Sequence, residues 1–214
     1  MIKSWGRRSG FNVQKVLWLM DELQLDYDHT ELGGEFGGLD DPDFRAMNPH
    51  GKVPVINDGG VVVWESHAIL RYLAAKYGAG SVWSSDPAQQ SLADRWMDWS
   101  LSRLQPDFMD IFWGFYRTPP SKHDPVFIEA AHQKCIDDFK LLDTHLAQQP
   151  FLAGDHFTVG DIPAGTALFR YFSLEIEHPD VPHVRAWYER LQERAGYRAH
   201  VMLPFEDMKG KETF

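Results

Sequence analysis

The stretch Asn48–Ala68, NPHGKVPVINDGGVVVWESHA, constrains this chain more than any other, because it encodes a hairpin that runs directly into a helix. Val53-Pro54-Val55-Ile56 is short and apolar, and Val61-Val62-Val63-Trp64 answers it beyond Asn57-Asp58-Gly59-Gly60. Asp-Gly and Gly-Gly accept the positive φ that tight turns need, so the two runs pair antiparallel. Ala68, Ile69, Tyr72, Leu73 and Tyr77 then recur at helical spacing. Glu65 and Ser66 stand at a strand-to-helix corner, where unpaired backbone N–H groups can hold a carboxylate and Ser66 can cap the helix. His67 reads most simply as a residue of the helix surface. Pro54 cannot donate to a ladder, which places its strand at an edge there. A cis Val53–Pro54 bond would turn the Val53 N–H and C=O outward, toward an extended peptide-like ligand.

Upstream, Ile2 to Trp5 forms a first strand and Gly6 to Phe11 a loop. Val13, Val16, Leu17, Met20 and Leu23 follow at helical spacing, with Asn12 at the helix mouth. Leu25 to Leu32 reads as a second strand and Pro42 to Met47 as a short helix, with the glycine-rich Gly33–Gly38 between them. Strand, crossover helix and strand imply a parallel pair, to which the hairpin adds antiparallel strands. Downstream of a Gly-, Ser- and Pro-marked linker the pattern is helical only: Ser91 to Tyr116, Pro125 to Ala147, Thr158 to Phe172 and Val184 to Leu191. Pro106 falls inside the first of these and is expected to bend it. Thr158-Val159-Gly160-Asp161 reads as a helix cap in which Asp161 reaches back toward Thr158, a structural task rather than a catalytic one.

A chain of 214 residues accommodates two modest domains. Against 21 Lys and Arg stand 31 Asp and Glu, a net charge of −10 that disfavours nucleic acid or an anionic membrane as partner. Cys135 is the only cysteine, which excludes an intrachain disulfide or a thiolate cluster, and its helical setting suits a small buried hydrophobe. The opening MIKSWGRRSGF lacks the apolar core of a signal peptide, so a cytoplasmic protein is expected.

A small α/β domain whose third strand opens Lys-Val-Pro and whose fourth ends Trp-Glu-Ser, followed by a helical domain with a Thr-x-x-Asp cap, resembles the cytosolic glutathione transferases. WGRRSGFNVQKVLW (Trp5–Trp18), NPHGKVPVI (Asn48–Ile56), WESHAILRYL (Trp64–Leu73) and FLAGDHFTVGDI (Phe151–Ile162) carry the resemblance, which runs from Ile2 to about Tyr197. It implies an α/β thioredoxin-like N-terminal domain plus an all-α C-terminal domain. Residues 1–78 would bind glutathione, 79–88 would link, and 89–214 would contribute the electrophile site. It further implies glutathione as cosubstrate without a metal, an apolar electrophile or a peroxide as second substrate, a homodimer and a detoxifying role.

Carried onto this sequence, the resemblance gives Pro54 the cis-proline role, pairs the main chain of Val53 with the cysteinyl part of glutathione, and assigns Glu65 and Ser66 to the γ-glutamyl end. Lys52 would lie near the glycyl carboxylate, with Gln14 and His50 as further contacts. The activating residue departs from the tyrosine pattern, since Trp5 ends the first strand and the loop holds no cysteine. Two donors remain: Ser9, in a flexible Arg-Arg-Ser-Gly loop, and Asn12, which matches a bacterial pattern with asparagine first in the helix. An amide N–H or hydroxyl aimed at sulfur stabilises thiolate, and the helix N-terminus adds favourable potential. The alternative for Asn12 is a plain N-cap. Phe108 and Phe112 suit the core, whereas Trp113 and Tyr116, with Phe11 and Phe36, are expected to contact the electrophile in the cleft between the domains.

Four other functions stand beside this reading. A glutathione-dependent peroxidase or disulfide reductase would use the same residues, and a non-catalytic glutathione-binding or scaffold protein would keep the fold. A glutaredoxin-like enzyme would need a cysteine near Ser9 to Asn12. Metal-dependent hydrolysis finds no paired ligand spacing among His29, His50, His67 and His123.

Overall fold

Four short strands make one mixed sheet in the order β2-β1-β3-β4, from β1 (Ile2–Trp5), β2 (Tyr27–Thr30), β3 (Val55–Asp58) and β4 (Val61–Trp64). These come from a computed structural model that describes residues 1–213. β1 runs parallel to β2 and antiparallel to β3, and β3 pairs with β4 with Val55 opposite Trp64 and Asp58 opposite Val61. The hairpin turn is therefore shorter than Asn57–Gly60: Gly59 and Gly60 alone turn the chain, at φ 60° and 97°, a conformation that glycine adopts without steric cost. β3 begins at Val55 rather than Val53, because Pro54 precedes the ladder instead of interrupting it. β2 is likewise shorter than Leu25–Leu32.

Helices α1 (Phe11–Glu22), α2 (Pro42–Met47) and α3 (Ser66–Tyr77) complete the first 83 residues. A C-terminal helix, α9 (Ala195–His200), returns to this unit, which comprises Met1–Trp83 and Ala195–Leu203. The sequence patterns did not mark α9. It packs on α1, where the Tyr197 ring meets Trp18 edge-on at 4.8 Å and His200 Nε2 lies 2.8 Å from Asp21 Oδ2. With α3 on it as well, α1 is buried from Val13 through Met20 on every face. At the hairpin, Asp58 accepts hydrogen bonds from Tyr72, Lys76 and Tyr77 of α3, which fastens β3 to the helix.

The second unit, Ser84–Arg194 with the chain from Pro204 onward, is helical. One continuous helical run contains α4 (Pro87–Trp99) and α5 (Gln105–Ile111), with π-helical turns at Ser100–Leu104 and Phe112–Arg117. Pro106 stands two residues beyond the end of the first π turn. Proline lacks the N–H and crowds the carbonyl four residues back, and a widened turn accommodates both defects. α6 (Pro125–Leu146), α7 (Asp161–Ser173) and α8 (Pro182–Gln192) complete the unit. Its core includes Phe108, Phe139, Leu142, Ile162, Leu168, Tyr171 and Trp187, and Cys135 is buried among them, its thiol pushed up by desolvation.

Candidate active site

The loop before α1 makes both main-chain and side-chain contacts. Gly10 N–H closes a turn on the Arg7 carbonyl at 2.7 Å, Arg8 pairs with Glu31 at 3.1 Å, and Arg7 reaches Glu35 at 3.4 Å. Ser9 lies half-buried in this turn. Gly10 is the N-cap of α1 and offers no side chain, so Asn12 is the second residue of the helix and is not spent as a cap. The first turn keeps N–H groups without carbonyl partners inside the helix and so supplies positive potential at its mouth.

Asn12 instead turns its side chain toward Lys15, whose Nζ lies 2.9 Å from Asn12 Oδ1. Residues three apart share a helix face, which brings the pair together. Lys15 is fully buried, and desolvation lowers its ammonium to about 7. The same Nζ is 3.2 Å from Nε2 of His67 on α3. His67 is therefore no surface residue: it is 3 % exposed and joins the first turn of α3 to the second turn of α1. Sequence reading missed Lys15 altogether, although its spacing from Asn12 held the signal.

Glu65 occupies the corner between β4 and α3 at φ 68°, exposed, and its side chain makes no cap bond. Ser66 is the first residue of α3 rather than its cap, and it is 4 % exposed. Both polar groups thus remain available beside the unpaired N–H groups of the helix start.

The Val53–Pro54 bond is cis. Among the described residues no hydrogen bond engages the main chain of Val53. Its position is fixed by packing: a Cβ added at Gly6 would come within 2.5 Å of Val13 Cγ2 and 3.2 Å of Val53 Cβ. Only glycine at position 6 lets Val53 approach the first turn of α1 this closely. Asn48 holds the preceding turn, donating to the Lys52 carbonyl at 2.8 Å and accepting from His50 N–H at 3.1 Å. Lys52 and His50 are exposed, and the His50 ring packs on Trp64 at 5.3 Å.

Gln14 departs from expectation. Its side chain is fully buried, and neither amide atom has a hydrogen-bond partner among the described residues. A ligand resting on accessible surface does not touch it, which argues against a direct contact with a tripeptide.

Of the aromatic candidates, Phe11 is 8 % exposed with Lys15 Nζ 4.8 Å from its ring centre, and Phe36 is 50 % exposed. In the second unit Phe108 and Phe112 are buried, as their core reading requires. Trp113 is exposed with the Arg117 guanidinium over its ring, and Tyr116 stacks on Phe112 at 5.4 Å.

Comparison with known proteins adds four findings. Residues 12–76 match the family model described as glutathione S-transferase, N-terminal domain, and residues 125–190 match the corresponding C-terminal domain. Glutathione S-transferase GstB of Escherichia coli is 41% identical over 206 residues, 95% of this chain and 99% of that protein. The crystal structure of the theta class glutathione S-transferase from Xanthomonas axonopodis pv. citri with glutathione bound is similar at a TM-score of 0.90 and 45% identity, covering 95% of this chain and 98% of that one. Glutathione S-transferase 3 of Zea mays is more distant, 28% identical over 94% of this chain and 93% of its own length.

Proposed function

The chain belongs to the glutathione S-transferase family, and from that membership we propose that Asn12 donates the side-chain hydrogen bond that stabilises the thiolate of bound glutathione. The protein is a glutathione transferase with glutathione as its cosubstrate. One observation carries the assignment of Asn12: its carbonyl oxygen is taken by Lys15 at 2.9 Å, which leaves the amide N–H groups as the face of the side chain available to a ligand.

Around that donor, the unengaged main chain of Val53 pairs with the cysteinyl segment of the tripeptide, beside Pro54. Glu65 and Ser66 hold the γ-glutamyl end, where a carboxylate matches the N-terminus of α3 and the Glu65 side chain matches an ammonium. Lys52 answers the glycyl carboxylate, with His50 nearby in sequence and exposed. Phe11 and Phe36 of the first unit supply apolar contacts for the electrophile.

Thiolate formation is then electrostatic: the sulfur loses its proton to solvent, while the amide N–H and the dipoles at the start of α1 stabilise the anion left behind. The test compares N12A with S9A by the ultraviolet absorbance of bound thiolate against pH, together with turnover. N12A should raise the thiol pKa and lower turnover by about 10–100-fold without abolishing it, because the backbone dipoles survive. A thiol unchanged in N12A but disturbed in S9A would transfer the role to Ser9. A homodimer is part of the same reading, supported by Val61 and Val62, 49 % and 37 % exposed on β4 at the sheet edge. A monomeric mass in sedimentation at high concentration would remove it.

A further inference from the structure

We propose that Lys15 is a positioning residue for thiol activation: held between Asn12 on α1 and His67 on α3, it orients the Asn12 amide with its carbonyl inward and its N–H toward the glutathione sulfur. This rests on the reading of Asn12 as the donor to that sulfur. An asparagine amide is otherwise free to rotate about a broad, roughly two-fold torsion, and a flipped amide would present oxygen to a thiolate and repel it. Lys15 removes that ambiguity. An ammonium carries donors only, so the atom it takes from Asn12, at 2.9 Å, is the oxygen.

His67 supplies the second restraint. Its Nε2 lies 3.2 Å from Lys15 Nζ and holds that group from the side of α3. Both partners are buried, with Lys15 at 0 % and His67 at 3 % exposure, while Asn12 is only half-buried. The arrangement thus extends from a closed interior to one partly open side chain. It also polarises that side chain, since a donor at the amide oxygen draws electron density from the nitrogen and strengthens its N–H groups.

Burial lowers the Lys15 ammonium to about 7, so near neutrality its charge is only partly present and responds to charge that develops nearby. Negative charge developing beyond Asn12 favours the charged lysine, and by reciprocity the charged lysine favours the thiolate. The Phe11 ring, 4.8 Å from Nζ, shields the cation on another side and stabilises it through its π face.

The test is a double-mutant cycle between K15M and N12A, read by the pKa of the bound thiol and by kcat and KM separately. Methionine fills the volume of the buried stem without charge, and K15Q, which keeps a donor, serves if K15M does not fold. K15M should raise the thiol pKa by about 1, close to a tenfold loss of thiolate near neutrality, and lower kcat more than it raises KM. In an N12A background the same change should add little, because its route to sulfur is already cut. K15Q should recover part of the loss.

Each contrary result has a distinct meaning. If N12A raises the thiol pKa and folded K15M does not, Lys15 has no positioning role and Asn12 stands. If K15M acts equally with and without Asn12, the lysine does not act through the amide and the proposal is overturned. If N12A leaves the thiol unchanged, the underlying reading of Asn12 fails, and this inference fails with it.

Discussion

Lys15 in the first unit and Asp161 in the second are both ionisable, both fully buried and both placed near the start of a helix, yet their surroundings differ in kind. Asp161 is enclosed by scaffold donors. Leu152 N–H and Trp187 Nε1–H reach one oxygen at 2.9 and 3.1 Å, and Thr158 N–H and its hydroxyl reach the other at 2.9 and 3.3 Å. Those bonds end inside the helical unit, joining the loop before α7 to α8. Lys15 instead bonds outward, to a half-buried amide at a helix mouth. Burial alone therefore does not distinguish a structural charge from a functional one; the destination of its hydrogen bonds does.

The sharpest way to break this contrast is D161A. It would leave Leu152 N–H and Trp187 Nε1–H buried without an acceptor, at about 1–3 kcal/mol for each unsatisfied donor, and would free the half-buried Thr158 N–H as well. A total loss of about 3 kcal/mol or more should lower the melting temperature by roughly 6–12 °C in a chain of this size. Whatever protein remains folded should bind glutathione with an unaltered thiol pKa. A large change in that pKa would place Asp161 in the chemistry and erase the distinction.

A smaller effect comes from pH, and the two groups oppose each other. Burial lowers the folded-state pKa of Lys15 from 10.5 to about 7, so its contribution to stability is present above 10.5 and is lost as pH falls through about 7. Burial raises Asp161 from 3.8 to about 6, outweighing the bonds from Leu152, Thr158 and Trp187; its contribution is present below 3.8 and lost as pH rises through about 6. Lowering the pH from 9 to 7 should therefore favour K15M over the parent by up to about 1.4 kcal/mol per pH unit, and the gap should level off below 7. His67 is the titratable group facing Lys15 from α3, and an H67Q background separates its own titration. D161N should gain on the parent between pH 4 and 6 and hold steady above. Denaturant midpoints across both windows measure the two slopes, and flat gaps would show that neither group is held away from its ordinary ionisation.

How much of this was legible in the sequence follows from the range over which each signal acts. The Thr158–Asp161 contact, the helix Pro42–Met47 and the strand Val61–Trp64 are local, and adjacent residues decide them, although Gly160 rather than Thr158 is the N-cap of α7. Asn12 as a site candidate was legible from motif and spacing. The pairing of Lys15 with His67 was not, because it joins positions 52 residues apart through the packing of α1 on α3. Taken alone, a histidine two positions into an amphipathic helix looks like a surface residue. The return of α9 to the first unit escaped for the same reason: Gly196, Tyr197 and His200 gain their meaning from Trp18 and Asp21, which lie far upstream. Gln14 is a different case: the resemblance implied a contact with the tripeptide, whereas the fold buries its side chain completely.

The smallest effect tests whether the corner at Glu65 belongs with Lys15 as a feature of function or with Asp161 as a feature of the scaffold. Glu65 holds φ 68°, where a side chain is strained, and it stands at the N-cap of α3 without using its carboxylate as a cap. Glycine adopts that backbone at no steric cost and is an acceptable N-cap, although it loses more conformational entropy on folding. E65G should accordingly stabilise the protein by about 0.5–1 kcal/mol, the balance of those two terms, whereas E65A keeps the strain and should gain nothing. Both should weaken glutathione binding by about tenfold, as expected for one charge-assisted hydrogen bond lost, with little change in kcat. Thermal denaturation of the two variants beside titration calorimetry with glutathione separates the quantities. A stabilised E65G that binds glutathione as tightly as the parent would leave the strained backbone without a function and move the γ-glutamyl contact elsewhere.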